Sequence, residues 1–441
     1  MRPTETETIE ASAHDARTDP TTPVRPVVVA LSGHAPPGTL RRIPPAGLTF
    51  GRGLPLFGGA PSEDGRMSRT HARIERTGST WTARDCDSRN GTWLNGHRLF
   101  DPTRLADGDV LRCGDTVVVF GHVVDSGPAV HGMAGVSPAF VEARNGLFAV
   151  AAHDRTVLLL GETGTGKEVA AKALHAASGR TGPFVAVNCA SLSPQLLEST
   201  LFGHRKGAFT GATDARPGLV RSAAGGTLLL DEVGELPLDL QGRLLRMLET
   251  RTVRPVGGTR ELPVDVRVVS ATNRDLVAAV RDQRFRSDLY ARIAQWVVKL
   301  PPLRTRRIDL PVLVRTLLAD LGTPHRRLDP ELATTWALHS WPLNVRGLRN
   351  ALATATIASP TGLLQATAPV LTALDAERAL VAPPEPTHAP PPAELSAADL
   401  RDALRTARGK VATAARALGR SRQQVYRLIQ AHGLVLDDFR G

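Results

Sequence analysis

The sequence predicts a multidomain chain: an all-β sandwich, then an α/β domain on a parallel sheet, then a helical segment and an all-α C-terminal module. Three observations carry this. Short β-branched runs broken by Gly, Asp, Asn and Pro turns fill residues 25–124, apolar strand-like runs alternate with helical segments over 132–305, and the pattern turns helical from 306 to 378. With 441 residues the chain is long enough for several cores.

Residues 1–24 are rich in Thr, Glu, Asp, Ala and Pro without periodicity and predict a disordered arm. "RPVVVALSG", "ARIERTGSTWTARDC" and "DGDVLRCGDTVVVFG" supply sandwich strands, and 125–131 forms a linker. "TVLLLG", "FVAVNC", "GTLLLDE" and "VRVVSATN" read as buried strands of the parallel sheet. "APPEPTHAPPPAEL", within 379–395, is a semi-rigid proline spacer, and 396–441 reads as three short helices. No apolar run approaches the roughly 20 residues that span a bilayer, and the start lacks the apolar stretch of a signal peptide. The expectation is a cytoplasmic protein with no membrane partner. Cys86, Cys113 and Cys189 lie far apart and the 13 histidines show no metal-ligand spacing, which argues against a disulfide framework or a zinc site.

A net charge of +11 fits an acidic partner such as nucleic acid, and equally a coding bias that writes almost every basic residue as arginine. Lysine stands only at 167, 172, 206, 299 and 410. Position 167 falls in a motif that needs a compact ammonium.

That motif is "LLLGETGTGKE". After a buried strand and before a helix, Gly161, Glu162, Thr163, Gly164, Thr165, Gly166 and Lys167 follow the G-x-x-x-x-G-K spacing. Glycines let backbone N–H groups surround phosphates, the helix N-terminus adds its dipole, and Lys167 reaches the β/γ-phosphates of ATP. Glu168 replaces the usual Ser/Thr, so Mg2+ must rely on carboxylates. "GGTLLLDE" ends in Asp231, suited to the magnesium shell, and Glu232, suited to activating a water. "SATN" ends another strand with Thr272 and Asn273 near a γ-phosphate, and "FRSDLYARI" places Arg286 and Arg292 six residues apart.

"GHRKGAFTGATDARPG" suits neither helix nor strand: Gly207, Ala208, Phe209, Thr210, Gly211 and Ala212 set one aromatic among small residues, as on a mobile loop tip. With this GAFTGA stretch the chain resembles the sigma-54-dependent transcriptional activators, or bacterial enhancer-binding proteins, a branch of the AAA+ ATPases. The resemblance covers about Gly132 to Leu352 and again 396–434. It implies that the loop touches sigma-54 RNA polymerase through Phe209 and Thr210. It also implies that Lys167 and Asp231 bind nucleotide and magnesium, that Glu232 polarises the attacking water, and that Asn188 restrains Glu232. Thr272 and Asn273 resemble the first sensor, and Arg346 in "WPLNVRGL" the second, on the helical lid (306–378). Arg286 and Arg292 look like arginine fingers acting on a neighbouring subunit, which implies a homo-oligomeric ring, by resemblance a hexamer. The chain departs from the family at Arg205, where an acid is usual, and at Leu343 and Gly347, where Gly and Glu are.

"ARGKVATAARALGRSRQQVYRLIQAHGL" resembles the family's Fis-like helix-turn-helix, with Arg420, Ser421, Arg422, Gln423, Gln424 and Arg427 as the enhancer-DNA contacts. Arg420 stands where an apolar turn residue is common. Over 396–433 eight basic residues face two acidic ones. At the other end "FGRG", "SRTHA" and "DSRNGTWLNG" resemble the forkhead-associated (FHA) domain, which binds phosphothreonine peptides. Arg52, Ser68, Arg69, Arg89 and Asn90 match its phosphopeptide ligands, Asn95 ties loops together and His71 is structural. The expected input is a phosphothreonine peptide or protein made by a Ser/Thr protein kinase, with Thr4, Thr6, Thr8, Thr18, Thr21 and Thr22 as acceptors for self-docking.

The expected function is therefore an ATP-hydrolysing activator, a two-component-like signalling device that remodels the sigma-54 polymerase closed complex. The alternative is a phosphorylation-dependent DNA-binding scaffold or repressor whose ATPase module only assembles the ring.

Overall fold

The structure is a computed structural model that describes residues 24–57, 62–124, 130–209, 213–360, 362–380, 397–407, 411–418 and isolated positions beyond 418. Most of the expected arm at 1–24 and of the linkers at 125–131 and 379–395 lies outside the described residues, although Val24 already belongs to a strand.

Ten strands build the N-terminal sandwich: β1 (Val24–Ser32), β2 (Leu40–Arg42), β3 (Leu48–Phe50), β4 (Ala72–Thr77), β5 (Thr80–Asp85), β6 (Thr92–Leu94), β7 (His97–Arg98), β8 (Thr103–Arg104), β9 (Val110–Cys113) and β10 (Thr116–Val124). They form two antiparallel sheets, ordered β2-β1-β10-β9-β6-β7 and β3-β4-β5-β8. Val28, Phe50, Ile74, Val118 and Phe120 close the core between the sheets.

Strands β1 and β10 depart from the one-sided burial usual in a sandwich. Val27, Val29, Leu31, Val117 and Val119, on the opposite face, are buried as well. The reason is legible in "VVVAL" and "VVVF", apolar at every position, as strands covered on both faces are.

The cover comes from the helices after the α/β domain. That domain runs α1 (Pro138–Ala149), β11 (Val157–Leu160), α2 (Lys167–Ala177), β12 (Phe184–Asn188), α3 (Pro194–Phe202), α4 (Leu219–Ser222), β13 (Thr227–Asp231), α5 (Leu238–Thr250), β14 (Thr252–Val253), β15 (Leu262–Pro263), β16 (Arg267–Thr272), α6 (Leu276–Arg281), α7 (Ser287–Ile293) and β17 (Trp296–Lys299). Its five-stranded sheet is ordered β12-β13-β16-β11-β17 and is parallel throughout. Leu158, Leu230 and Val268 face one layer of helices, Val157, Leu229 and Val269 the other. The carboxyl ends of β11, β12, β13 and β16 therefore meet at one edge, where ligands of open α/β sheets bind.

The lid comprises α8 (Leu310–Asp320), α9 (Pro330–Leu338), α10 (Asn344–Ala358) and α11 (Ala368–Ala379). Asp329 starts α9 by accepting from the N–H groups of Glu331 and Leu332, both at 2.8 Å. Leu310, Val314 and Trp336 of the lid join Val27, Val29, Val117 and Val119 of the sandwich in one core. Sandwich, ATP-binding sheet and lid thus make a single compact unit up to Leu380.

A second unit follows from Val381. It contains α12 (Ala397–Thr406) and α13 (Val411–Ala417), joined by Leu400, Leu404, Val411 and Ala414. The third helix expected there falls mostly outside the described residues, as do Arg420, Ser421, Arg422, Gln423, Gln424 and Arg427. Among the described residues no helix is long and apolar enough to cross a membrane.

Where sheet, lid and α1 converge, the wholly buried Asp309 accepts from Val136 N at 2.6 Å, Ser137 N at 2.7 Å and Ser137 Oγ at 2.7 Å. The buried guanidinium of Arg306 lies 3.8 Å from it and 4.5 Å from the Phe140 ring centroid. Replacing Asp309 by Ala strands that guanidinium and three donors. We expect Asp309→Ala to lose roughly 3–5 kcal/mol in urea denaturation; a loss below ~1 kcal/mol would show that the pair is dispensable.

Candidate functional site

The phosphate loop spans from the end of β11 to the start of α2. Gly164 and Gly166 hold φ of +79° and +104°, which aims successive backbone N–H groups into one concavity. Lys167, 7% exposed, folds back so that Nζ donates to Gly161 O at 2.9 Å. Without phosphate, its ammonium is thus satisfied by the loop itself.

Two carboxylates end β13 beside this loop. Glu232 sits in the left-handed region at φ +51°, a strained position for a non-glycine residue, of the kind that clusters at functional sites. Its Oε2 accepts from Asn273 N at 3.3 Å and its Oε1 lies 3.8 Å from Lys167 Nζ. Burial, and then the charge of Glu232, push the Asp231 carboxyl above its ordinary range. Among the described residues no cluster of three or more His, Cys, Asp or Glu forms a self-sufficient metal cage. One half-buried aspartate beside a phosphate loop suits Mg2+, which keeps waters and shares substrate phosphates. Glu168 instead pairs with Lys172 at 2.7 Å on the outer face of α2.

Asn273 links the strand ends: its Nδ2 donates to Thr163 Oγ1 at 3.1 Å. Thr272 is fully buried and its Oγ1 accepts from Arg274 N at 3.1 Å, so it shapes the turn that carries Asn273. Asn188 pairs in register with Asp231, but its Oδ1 accepts from Ala190 N at 2.8 Å. In this conformation Asn273 and Lys167, rather than Asn188, hold Glu232.

The lid closes directly on the loop. Val345 N donates to Gly164 O at 3.0 Å, and a Cβ at Gly164 would lie 2.1 Å from Leu343 O. Arg346 stands exposed one residue later, with its Cβ at the same glycine. Asn344, buried at φ +53°, donates to Thr163 O at 3.0 Å and accepts from Leu303 N at 2.7 Å. Arg304 makes a bidentate pair with Glu162, both contacts 2.6 Å, which holds the Glu162 carboxyl below its ordinary range. Gly132, Met133, Phe140, Val169 and Leu313 line a small apolar cavity of about 70 Å³ beside Gly166.

Sequence reasoning missed Arg304, Asn344 and this apolar cavity. Arg304 and Asn344 lay in the quoted or neighbouring stretches "LRTRRIDL" and "WPLNVRGL", but neither belongs to a contiguous phosphate motif. The departure at Gly347 also gains a physical reason: Glu377 of α11 fills the space, its Oε1 2.3 Å from where a Cβ would stand, and accepts from Leu343 N at 2.8 Å. A side chain from another helix occupies the room that a larger residue would need.

Arg286 precedes α7 and is exposed; its guanidinium makes a bidentate contact with Asp288 at 3.0 and 2.7 Å, and its backbone N–H donates to Gln241 Oε1 at 2.8 Å. Arg292, on α7, donates to Leu248 O at 3.2 Å. In the GAFTGA stretch Thr210, Gly211 and Ala212 lie outside the described residues. Gly207 adopts φ +78°, and Phe209 is 41% exposed, its ring edge-on to His204 with centroids 5.0 Å apart. The aromatic is thus half-covered rather than fully projecting.

On the sandwich, Arg52, Arg69, Arg89 and Asn90 are exposed on neighbouring loops. Ser68 ties two of these together, its Oγ accepting from Arg89 N at 3.0 Å and its O from Arg52 N at 2.9 Å. Asn90 Nδ2 donates to Arg66 O at 2.7 Å. Buried His71 accepts from Ser68 N at 3.0 Å and its Nε2 lies 3.2 Å from Gly91 O, so it braces the loops from beneath. Asn95 bonds Asp109 Oδ1 at 2.8 Å and accepts from Val110 N at 3.0 Å.

A phosphate loop, a paired acidic strand end and a helical lid define the class, an AAA+ ATPase domain fused to a β-sandwich. Residues 133–299 match the Sigma-54 interaction domain family, and residues 49–114 match the FHA domain family. The chain is 41% identical over 296 residues to the transcriptional regulatory protein GlrR of Escherichia coli K12, covering 66% of each chain. It is 45% identical over 240 residues to ZraR of Klebsiella oxytoca, covering 53% of this chain and 54% of that one. The solved structure of NtrX from Brucella abortus in complex with ATP is 30% identical, covers 68% of this chain and 69% of that one, and superposes with a TM-score of 0.49. The chain therefore carries the ATPase domain of the sigma-54-dependent transcriptional activators together with an FHA domain. It spans from about half to about two thirds of the length of these curated relatives.

Burial holds the Glu377 carboxyl above its ordinary value. Its stabilising contribution is then complete below the ordinary glutamate pKa and is lost as pH rises through the raised one. Glu377→Gln keeps the acceptor for Leu343 N and should remove that decline when stability is measured by denaturation across a pH series. An unchanged slope would show that Glu377 ionises without consequence.

Proposed function

We propose that this protein is an ATP-driven activator that remodels sigma-54 RNA polymerase at the promoter, answers to a phosphothreonine ligand, and acts in the cytoplasm. The observation that most supports the reading is the convergence of Lys167, Asp231, Glu232 and Asn273 at the strand ends, in a chain whose GAFTGA stretch is intact.

ATP phosphates replace the Gly161 carbonyl as partners of Lys167, while the N–H groups of 164–167 and the start of α2 receive the remaining charge. Asp231 is the residue that would hold Mg2+, which when bound would supply positive charge against the phosphates. Glu232 orients and deprotonates the water, and Asn273 senses the γ-phosphate through its bonds to Thr163 and Glu232. Asn188 restrains Glu232 in a state other than the one described. Arg346 reports nucleotide to the lid. Arg286, which has only Asp288 to release, and Arg292 reach into a neighbouring subunit's site, so the active form is a ring, by family pattern a hexamer.

Phe209 and Thr210 deliver the motion to sigma-54. Release of Phe209 from His204 is the local change, since an aromatic docked on its own domain is unavailable to a partner. The C-terminal unit holds enhancer DNA through Arg420, Ser421, Arg422, Gln423, Gln424 and Arg427. Arg52, Ser68, Arg69, Arg89 and Asn90 bind a phosphothreonine produced by a Ser/Thr kinase.

The test is open-complex formation at a sigma-54 promoter with purified polymerase, using ATP or a non-hydrolysable analogue. Glu232→Gln should bind ATP and turn over ~10²–10⁴-fold more slowly, whereas Phe209→Ala should hydrolyse ATP normally without melting DNA. Normal turnover by the first variant, or normal melting by the second, refutes the assigned role.

Peptide recognition is checked separately with a degenerate phosphothreonine peptide library against its unphosphorylated counterpart. Arg52→Ala should weaken phosphopeptide binding by at least about tenfold, and equal affinity would remove the sensing role.

A further inference from the structure

The segment between β17 and α8 is ten residues of strap with two faces. Arg304 grips Glu162 of the phosphate loop, and Arg306 Nη2 donates to Thr165 O at 3.3 Å. The next two residues grip the sandwich. Arg307 Nη1 donates to Gly108 O at 3.0 Å, and Ile308 occupies a notch opened by Gly121, where a Cβ would stand 2.7 Å from Ile308 Cδ1.

The strap is continuous with the sandwich's exposed loops. Gly108 precedes Asp109 and Val110, which Asn95 bonds, and Asn95 follows β6, whose strand begins just after Asn90 and Gly91. Either end of this path is a backbone loop that a bound anion would stiffen. Between them the links are short stretches of backbone, hydrogen bonds and one packed side chain, and the sandwich shares its outer core with the lid.

We propose that residues 304–308 couple the two sites: nucleotide in the phosphate loop and phosphothreonine on the sandwich change each other's affinity through the strap. This regulation rests on the nucleotide reading given above. Arg307 is its positioning residue, since it touches neither ligand. By linkage the coupling is reciprocal: a phosphothreonine peptide changes ADP affinity by the same factor by which ADP changes peptide affinity.

The experiment uses the full chain, Mg2+-ADP and a degenerate phosphothreonine peptide library with its unphosphorylated counterpart as control; its readouts are hydrogen exchange of the sandwich amides and ADP affinity in the presence of each library. In wild type, saturating ADP should slow exchange at 108–110 and 117–123. In wild type the phosphorylated library should shift ADP affinity by about fivefold, the low end of typical coupling; Arg307→Ala should abolish both the slowing and that shift, while Arg307→Lys restores part of both. Gly121→Ala, which pushes on Ile308 from the sandwich side, should also reduce the shift, and it serves as the second variant should the first misfold. If ADP binds wild type without slowing those amides, or if Arg307→Ala leaves both readouts unchanged, the coupling is overturned. Failure of wild type to bind ADP overturns the nucleotide reading itself and is recognised by the affinity measurement alone.

Discussion

The arrangement depends on one buried carboxylate. Asp309 gathers two backbone N–H groups and a hydroxyl at the start of α1, and its charge makes the buried Arg306 tolerable. A guanidinium stripped of water incurs a large desolvation cost, which a counter-charge of this kind offsets. Because Arg306 also holds Thr165 O and stacks on Phe140, the ion pair sets the distance between the sheet, the lid and the phosphate loop.

Closure of the lid follows from that placement. Asn344 bridges Leu303, Thr163 and Glu162, and only a glycine at 164 lets the lid backbone come so near. These neighbours shape the loop, and Lys167 donates to Gly161 O. Incoming phosphate exchanges one set of bonds for another, so the net gain is smaller than the sum of its contacts.

The sequence made the phosphate loop and the acidic strand end readable because each is contiguous: a turn chemistry at fixed spacing next to a buried run. The alternation of strand and helix patterns likewise displayed the sandwich and the parallel sheet. What stayed hidden was formed by distant residues. Glu377 fills the room over Gly347 from thirty positions away, and the Arg304–Glu162 pair spans |i−j| of 142. The two-sided burial of β1 and β10 was visible in their unbroken apolar runs, but sandwich strands are read by alternation, and that habit conceals a second partner. Phe209 was legible as an odd aromatic among small residues, whereas its rest against His204 is a tertiary contact.

Gly121 carries a consequence for whether the sandwich is a detachable part. Here a missing side chain on one domain is matched to a methyl group on the other, and valines that would face water in a free-standing sandwich have become interior. A transplanted sandwich with an ordinary residue at that place would meet Ile308 head-on. A side chain at 121 thus requires Ile308 to give way, and the two positions are sterically tied across the domain boundary.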